Sequence, residues 1–180
     1  MRAVVVYESM FGNTHLIADR IGDGLRSGGG LETTVVSVHD AGAELIASAD
    51  LLVVGGPTHV HGMASDLTRK GVEDMAAKED LALDPDWEGP GLRDWFDALA
   101  DSQGRAAAAF DTRVHASALL TGQASKGIAK RLRHHGWKMV ADPESFFVDK
   151  STHLEPDEAE RATAWGARLA ETVTARQASG

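Results

Sequence analysis

The segment AVVVYESMFGNTHLIADRI, residues 3–21, decides the fold of this chain. It begins with an uninterrupted apolar run, which is typical of a strand covered by helices on both faces. It ends with Ile17 and Ile21, which are four residues apart and therefore lie on one face of a helix. A polar turn, residues 8–14, joins the two. The segment therefore predicts a strand, a turn and a helix in succession, which is the first unit of a parallel α/β sheet.

The polar turn ESMFGNT has the features of an anion-binding site. The start of a helix presents backbone N–H groups without intrahelical partners, together with the positive end of the helix dipole. Gly12 lets the backbone approach a ligand, and Ser9 and Thr14 add hydroxyl donors. Because the turn contains no lysine, it suits a phosphate monoester held by many hydrogen bonds. On these residues alone an alternative stays open, in which Ser9 and Asn13 only cap the helix and Gly12 only makes the turn.

The same alternation of apolar runs and helical patterns continues along the chain. It predicts strands at residues 3–7, 32–38, 51–55, 106–110 and 137–141. The predicted helices end at the glycines 28–30, span 66–79, 92–99 and 124–135, and start at Pro156. Apolar runs without alternation place the first, third and fourth strands at the centre of an open, doubly wound sheet. Such a sheet binds its ligand outside the carboxyl ends of its strands.

The connection between the third and fourth strands, residues 65–104, is much longer than a crossover helix needs. Long connections in compact domains are usually functional or mobile. We therefore expect this one to cover one side of the ligand crevice. The rest of the pattern predicts a single domain over residues 1–176 and a flexible tail at 177–180.

Composition narrows the classes of function. The 180 residues are 43% hydrophobic and 25% charged, as in globular proteins, and no apolar run reaches the roughly 18 residues of a membrane span. The net charge of −9 argues against nucleic acid and anionic membranes as partners. The first strand leaves no room for a signal peptide, so we expect a cytoplasmic protein. Because the chain has no cysteine, any redox chemistry must come from a bound organic cofactor.

Residues 4–21, VVVYESMFGNTHLIADRI, resemble the phosphate loop of the flavodoxin family. In that family a strand ends in a Ser/Thr-x-Thr-Gly-x-Thr pattern whose loop wraps the terminal phosphate of flavin mononucleotide. The resemblance implies a phosphate site formed by Ser9, Met10, Phe11, Gly12, Asn13 and Thr14. Phe11 departs from the pattern, since it stands where the family often has a hydroxyl. The resemblance also implies an α/β three-layer sandwich with a five-stranded parallel sheet of order 2-1-3-4-5.

Two later loops would hold the flavin ring. They are LLVVGGPTHVHGM, residues 51–63, and AAAAFDTRVHAS, residues 106–117. The resemblance implies that these loops cover two sides of the isoalloxazine ring, and the glycines 55 and 56 would let the ring approach the backbone. The residues expected to contact the cofactor there are Pro57, Thr58, His59, Val60, Gly62, Asp111, Thr112 and Arg113. The second loop lacks the tyrosine and the Gly-x-Gly-Asp pattern that electron-transferring flavodoxins often carry.

Several side chains near these loops carry narrower expectations. Arg113 or His115 near the pyrimidine edge would favour the reduced, anionic ring and raise its potential. His59 and His61 have no obvious third ligand, so no metal site is predicted. Trp87 and Trp95, in the long connection, are candidates to cover the ring or a substrate, with packing as the alternative.

Other families with this architecture fail on specific residues. A receiver domain needs an aspartate at the end of the third strand, a small tyrosine phosphatase needs a cysteine, and a P-loop nucleotidase needs Gly-Lys-Ser/Thr. Three functions stay open: an electron or hydride carrier, an oxidoreductase that reduces a quinone-like acceptor, and a ligand-free interaction module. No catalytic residue is assigned. The cofactor is flavin mononucleotide or a deazaflavin with the same ribityl phosphate. The expected partner is a redox protein or a small-molecule acceptor, and a homodimer stays open.

Overall fold

Uninterrupted apolar strands form a sheet at the centre of the molecule. The computed structural model describes residues 1–59, 62–63, 76–77, 81–85, 87, 90–115 and 122–178, without the side chains of 59 and 62. The strands are β1 (Arg2–Tyr7), β2 (Glu32–Ser37), β3 (Leu51–His59), β4 (Gly62–Met63), β5 (Ala106–Val114), β6 (Lys138–Met139) and β7 (Glu144–Val148). The helices are α1 (Asn13–Gly29), α2 (Ala43–Ala47), α3 (Leu92–Asp97), α4 (Ala124–His134) and α5 (Glu158–Ala178).

The predicted parallel sheet of order 2-1-3-4-5 is confirmed. The strands lie in the order β2-β1-β3-β5, and both β6 and β7 pair with β5 to fill the fifth position. β6 pairs with the start of β5, where Ala106 faces Lys138, and β7 pairs with its end, where Phe110 faces Glu144. The short strand β4 is antiparallel to β3. The carboxyl ends of β1, β3, β5 and β7 therefore meet at one edge of the sheet.

The fifth strand was predicted only in part. Of the predicted residues 137–141, only Lys138 and Met139 pair with β5, and most of the pairing is made by β7, which the sequence pattern did not reveal. The chain leaves the sheet between the two strands, at residues 140–143. Pro143 cannot donate a ladder hydrogen bond, which explains why the strand is divided there. The strand at the fifth position of the sheet therefore ends at Val148 and not, as predicted, at residue 141.

The other elements lie close to the predictions, with two differences. Helix α2, which has five residues, was not predicted because it is too short to show a period. Helix α5 extends to Ala178, into the segment expected to be a flexible tail. The predicted helix over 66–79 lies outside the described residues except at 76–77, which are helical.

Both faces of the sheet are buried. Val5 packs with Ile17 in a cluster beneath α1 and α5, whereas Val4 and Val6 pack with Ile128 in a cluster beneath α2, α3 and α4. This arrangement explains why the central strands are apolar without alternation. In the part of the chain that the structure describes, no helix is both long and apolar enough to cross a membrane.

Helices α1 and α5 pack at backbone contact because glycines face each other. A Cβ built on Gly24 would lie 2.0 Å from the Thr163 carbonyl oxygen, and one built on Gly166 would lie 2.3 Å from the Ile21 carbonyl oxygen. Real Cβ atoms do not approach oxygen so closely, so any larger residue at either position must push the helices apart. These glycines therefore determine how α1 lies on the sheet.

A partly buried ion pair joins the start of α5 to β7. The Arg161 guanidinium donates to Glu144 and to the Ser145 carbonyl, and it lies 2.6 Å from Glu158 Oε2. Burial alone would lower the pKa of Arg161, but the hydrogen bonds and charges of Glu158 and Glu144 outweigh it and raise that pKa. Glu158 Oε2 also accepts the Phe147 N–H at 2.8 Å, so one carboxylate connects the helix to the strand.

We expect the same substitution, glycine to alanine, to have opposite effects at two helix positions. Gly166→Ala should lower the free energy of unfolding by about 2–3 kcal/mol, because overpacking outweighs the better helix propensity of alanine. Gly127→Ala in α4 should raise it by up to about 1 kcal/mol, since a Cβ there meets no atom closer than Met63 Cε at 3.6 Å. Urea unfolding of both variants measures the difference. Equal shifts would contradict the backbone contact.

Candidate functional site

A cleft of about 290 Å³ opens at the carboxyl edge of the sheet, near the lower end of the roughly 300–1,000 Å³ of small-molecule sites. It lies at the switch point of the sheet, where β1 and β3 connect in opposite directions. Its walls come from the β1 turn (residues 8–14), the ends of β3 and β5, and the β7 turn (residues 149–154). The lining residues are Met10, Phe11, Asn13, Thr14, Pro57, Thr58, Thr112, Arg113, Val114, Val148, Lys150 and Thr152.

The β1 turn brings the start of α1 to the cleft. Gly12 is the N-cap residue and has a φ of 84°, a left-handed conformation that favours glycine. Its N–H donates to Ser9 Oγ at 3.1 Å, which closes the turn. No side chain caps α1 at this position, so the N–H groups of its first turn face the cleft without a capping side chain.

Asn13 and Thr14 connect this turn to other elements of the cleft. The Asn13 side-chain amide donates to the Thr152 carbonyl oxygen in the β7 turn at 2.6 Å, so Asn13 does not cap α1. The hydroxyls of Thr14 and Thr112 are buried and 2.7 Å apart, and either can donate. One of these two hydroxyl protons therefore stays available for another acceptor.

Part of the long connection packs against the β1 turn. The Asp84 N–H donates to the Met10 carbonyl oxygen at 2.8 Å, and the buried Asp84 carboxylate lies 3.2 Å from His15 Nδ1. Leu83 and Trp87 pack against Met10 in the same place, as does Phe11. Trp87 therefore lies beside the turn. The other candidate tryptophan, Trp95, packs far from the cleft, with its indole N–H donating to the Ala41 carbonyl oxygen at 3.0 Å.

Thr58 and Asp111 form a polar support beneath the cleft. Asp111 is fully buried, and its Oδ2 accepts hydrogen bonds from the Thr58 hydroxyl at 3.1 Å and from the Ser125 N–H at 2.8 Å. Thr58 Oγ1 in turn accepts the Ala124 N–H at 2.9 Å. The N-cap residue Gln123 makes no side-chain cap, so strands β3 and β5 cap helix α4 instead. A carboxylate at a helix start is also favoured by the helix dipole.

Core side chains pack beside the two glycines in the middle of β3. A Cβ on Gly55 would lie 2.1 Å from the Phe110 ring, and one on Gly56 would lie 2.6 Å from Leu92 Cδ1. The space on the Cβ side of each glycine is therefore filled by a core side chain of this chain. Neither glycine is among the described residues that line the cleft, and the approach of a flavin ring to their backbone stays a prediction.

Arg113 and His115 differ in their position at the end of β5. Arg113 lines the cleft, with its guanidinium carbon 4.9 Å from the centre of the Phe147 ring. His115 stacks on the same ring at 4.3 Å, is exposed, and lies 3.0 Å from Glu155 Oε2. Of these two residues, Arg113 alone is among the described residues that line the cleft.

The structure brings together most of the residues predicted for the site. Ser9 and Gly12 shape the β1 turn without lining the cleft, and Asp111 lies beneath it. Val60 and the side chain of His59 lie outside the described residues, and Gly62 is in β4. Among the described residues, no group of three acidic or histidine side chains could hold a metal ion.

Sequence reasoning missed the β5–β7 wall of the cleft, formed by Val114, Val148, Lys150 and Thr152. The available signal was the run ESFFV, residues 144–148, which is apolar, aromatic and followed by the turn residues DKST. Had this run been recognised as the end of the fifth strand, the residues after it would have been placed at the carboxyl edge of the sheet.

Comparisons with known proteins agree with this geometry. The family model described as flavodoxin matches residues 5–159. A search of curated proteins finds no match. Among solved structures, a flavodoxin from the domain Archaea is 22% identical, with a TM-score of 0.66 over 97% of this chain and 99% of that one. Oxidised flavodoxin 1 from Bacillus cereus is 21% identical, with a TM-score of 0.65 over 95% and 98%.

A larger protein also contains a similar fold. Rubredoxin oxygen:oxidoreductase from Desulfovibrio gigas is 17% identical, with a TM-score of 0.63, and the match covers 98% of this chain but 37% of that one. At these identities the structural matches show a shared fold.

We expect Thr58→Val to lower the free energy of unfolding by about 1–3 kcal/mol. Valine has the same shape but leaves the buried Asp111 carboxylate and the Ala124 N–H without their hydroxyl partner. Thr174→Val is the matched control, because that exposed hydroxyl donates only to a carbonyl of its own helix. Chemical unfolding monitored by circular dichroism measures both. Equal stability of the two variants would contradict the supporting role of Thr58.

Proposed function

The chain belongs to the flavodoxin family, and on that premise we propose that its cleft binds flavin mononucleotide, which passes electrons to a redox partner. The observation that carries this proposal is the first turn of α1. Gly12 starts this helix in a left-handed conformation and without a side-chain cap, next to Asn13 and Thr14, which line the cleft. Backbone N–H groups at such a helix start are common ligands of phosphate in proteins.

The donors at this end of the cleft fit a phosphate monoester. Besides the backbone N–H groups, the hydroxyl pair of Thr14 and Thr112 keeps one proton to donate, and both residues line the cleft. The buried Ser9 hydroxyl accepts the Gly12 N–H and holds the turn closed behind these donors. These groups supply several neutral donors, which suit an anion that accepts many hydrogen bonds.

The rest of the cleft fits a flat, largely apolar ring. Phe11, Pro57, Val114 and Val148 line it with apolar surface, and Thr58, Thr112 and Arg113 are the polar residues that line it beside them. Bound flavin would supply reversible electron transfer, which no side chain of this cysteine-free chain supplies. The chain's own residues would hold the ring, exclude water from one of its sides and set the charge beside it.

The net charge of −9 supports a redox partner with a basic docking surface, because opposite charges accelerate the encounter of two proteins. A small-molecule acceptor such as a quinone would need the same cofactor but no such surface. A strong decrease of the electron-transfer rate with ionic strength supports the protein partner.

The binding of flavin mononucleotide is tested by loss of the cofactor from a double variant. Gly12→Val combined with Thr14→Ala should abolish cofactor retention, because valine does not adopt the left-handed conformation of Gly12 and alanine lacks the hydroxyl of Thr14. The visible spectrum of purified protein and fluorescence titration with flavin mononucleotide measure retention. Gly42→Val combined with Thr172→Ala, away from the cleft, is the matched control, since a Cβ at Gly42 meets open space.

The outcomes of this titration separate the remaining functions. Absorption bands near those of free flavin would support flavin mononucleotide as the cofactor. A single band typical of a deazaflavin would support a deazaflavin instead. No binding of either at micromolar concentration would contradict the proposal and favour an interaction module. Unchanged binding by the cleft variant would contradict the phosphate site at α1.

We expect Arg113→Gln to lower the midpoint potential of the bound cofactor by about 30–60 mV. A guanidinium in the cleft stabilises a reduced cofactor that carries negative charge, and 59 mV corresponds to a tenfold change for one electron. Redox titration followed by absorbance measures the shift, with the exposed Lys130→Gln as the control. A wild-type potential as low as that of a ferredoxin would count against this role of Arg113.

A further inference from the structure

The β7 turn is organised by one carboxylate. Asp149 Oδ1 accepts the N–H groups of Ser151 at 2.8 Å and His153 at 2.9 Å, and the Asp149 N–H donates to the His153 carbonyl oxygen at 2.8 Å. The N–H of His153 lowers the pKa of the Asp149 carboxyl, desolvation opposes the shift, and the N–H of Ser151 adds to it. Asp149 therefore stays ionised at neutral pH and holds the turn closed.

The β7 turn lies against the start of α1. The Asn13 side chain donates to the Thr152 carbonyl oxygen at 2.6 Å. Thr152 has a φ of 64°, a conformation that is unfavourable for a β-branched residue. Such a conformation persists when the surrounding structure holds it, and it is found most often at functional sites. The hydrogen bonds to Asn13 and within the turn are the contacts that hold Thr152.

The β7 turn adds a second cation, beside Arg113, to the described residues that line the cleft. Lys150 is exposed and lines the cleft together with Asn13 and Thr14. The only charged residue of the β1 turn itself is Glu8, and the carboxylate of Asp84 lies 4.0 Å from the position of a Cβ on Gly12. An anion at the start of α1 would therefore lie near negative groups and gain from a neighbouring ammonium.

We propose that Lys150 is the countercharge of the cofactor phosphate and that the β7 turn is the wall that selects phosphorylated over unphosphorylated flavin. This inference rests on the proposed function, because it assigns a charge to the phosphate that the start of α1 binds. The hydrogen bond from the Asn13 side chain to the Thr152 carbonyl oxygen holds the turn against α1. The backbone that carries Lys150 therefore lies beside the start of this helix. A charge-assisted hydrogen bond is stronger than a neutral one, so Lys150 contributes to affinity as well as to selectivity.

The test compares two ligands that differ only in the phosphate. The dissociation constants of flavin mononucleotide and riboflavin are measured by fluorescence titration for wild type, Lys150→Gln, Lys150→Arg and the control Lys130→Gln. Lys150→Gln should weaken flavin mononucleotide about tenfold and leave riboflavin within about twofold. Lys150→Arg should retain most of the affinity, and the control should match wild type. Because Lys150 is exposed, its variants should fold normally, which near-UV circular dichroism checks.

Salt provides a second readout. The preference of wild type for flavin mononucleotide should decrease as ionic strength rises, and this decrease should be smaller in Lys150→Gln. Equal weakening of both ligands, or no weakening of either, would overturn the role of Lys150 while the proposed function stands. A wild-type chain that binds neither ligand would overturn the proposed function and this inference with it.

Discussion

The backbone contact between α1 and α5 is the constraint on which the cleft depends. Glycines at 24 and 166 remove the side chains that would hold the helices apart, so α1 lies at a fixed depth on the sheet. The start of α1 is then fixed from the other side, because Thr14 meets Thr112 of β5 and Asn13 meets the β7 turn. A helix held at both ends can present its first N–H groups to a ligand without a capping side chain.

Buried carboxylates support the cleft from below and from its side. Asp111 joins β5 to α4, whose own N-cap residue makes no side-chain cap. Glu8 accepts the Leu92 N–H at 3.2 Å and so adds to the local cap of α3, in which Asp94 accepts the Gly91 N–H. Asp84 holds the long connection on the β1 turn. These groups join separate elements around the cleft, and Asp84 also places a negative charge beside the start of α1. In the proposed complex, the ammonium of Lys150, carried by a separate turn, would offset this charge.

The departure at position 11 fits this picture of the site. Phe11 replaces a hydroxyl that the family often has, and it packs against Met10 while also lining the cleft. The chain therefore has an apolar ring where the family often has a hydroxyl, next to the residue on which Trp87 of the long connection packs. In the proposed complex, Lys150 of the β7 turn would supply an interaction of a different kind in place of this hydroxyl.

The sequence by itself determined the fold class, the position of the polar turn between β1 and α1 and most of the residues that line the cleft, because these depend on local patterns: apolar runs, helix periods and a glycine at a helix start. It did not reveal that Phe110 and Leu92 fill the space beside the glycines of β3, or that Asp111 caps α4. Nor did it reveal the β7 turn with Lys150. Only the tertiary structure decided these features, since each joins residues far apart in the chain, and a strand divided at Pro143 left no continuous pattern to follow.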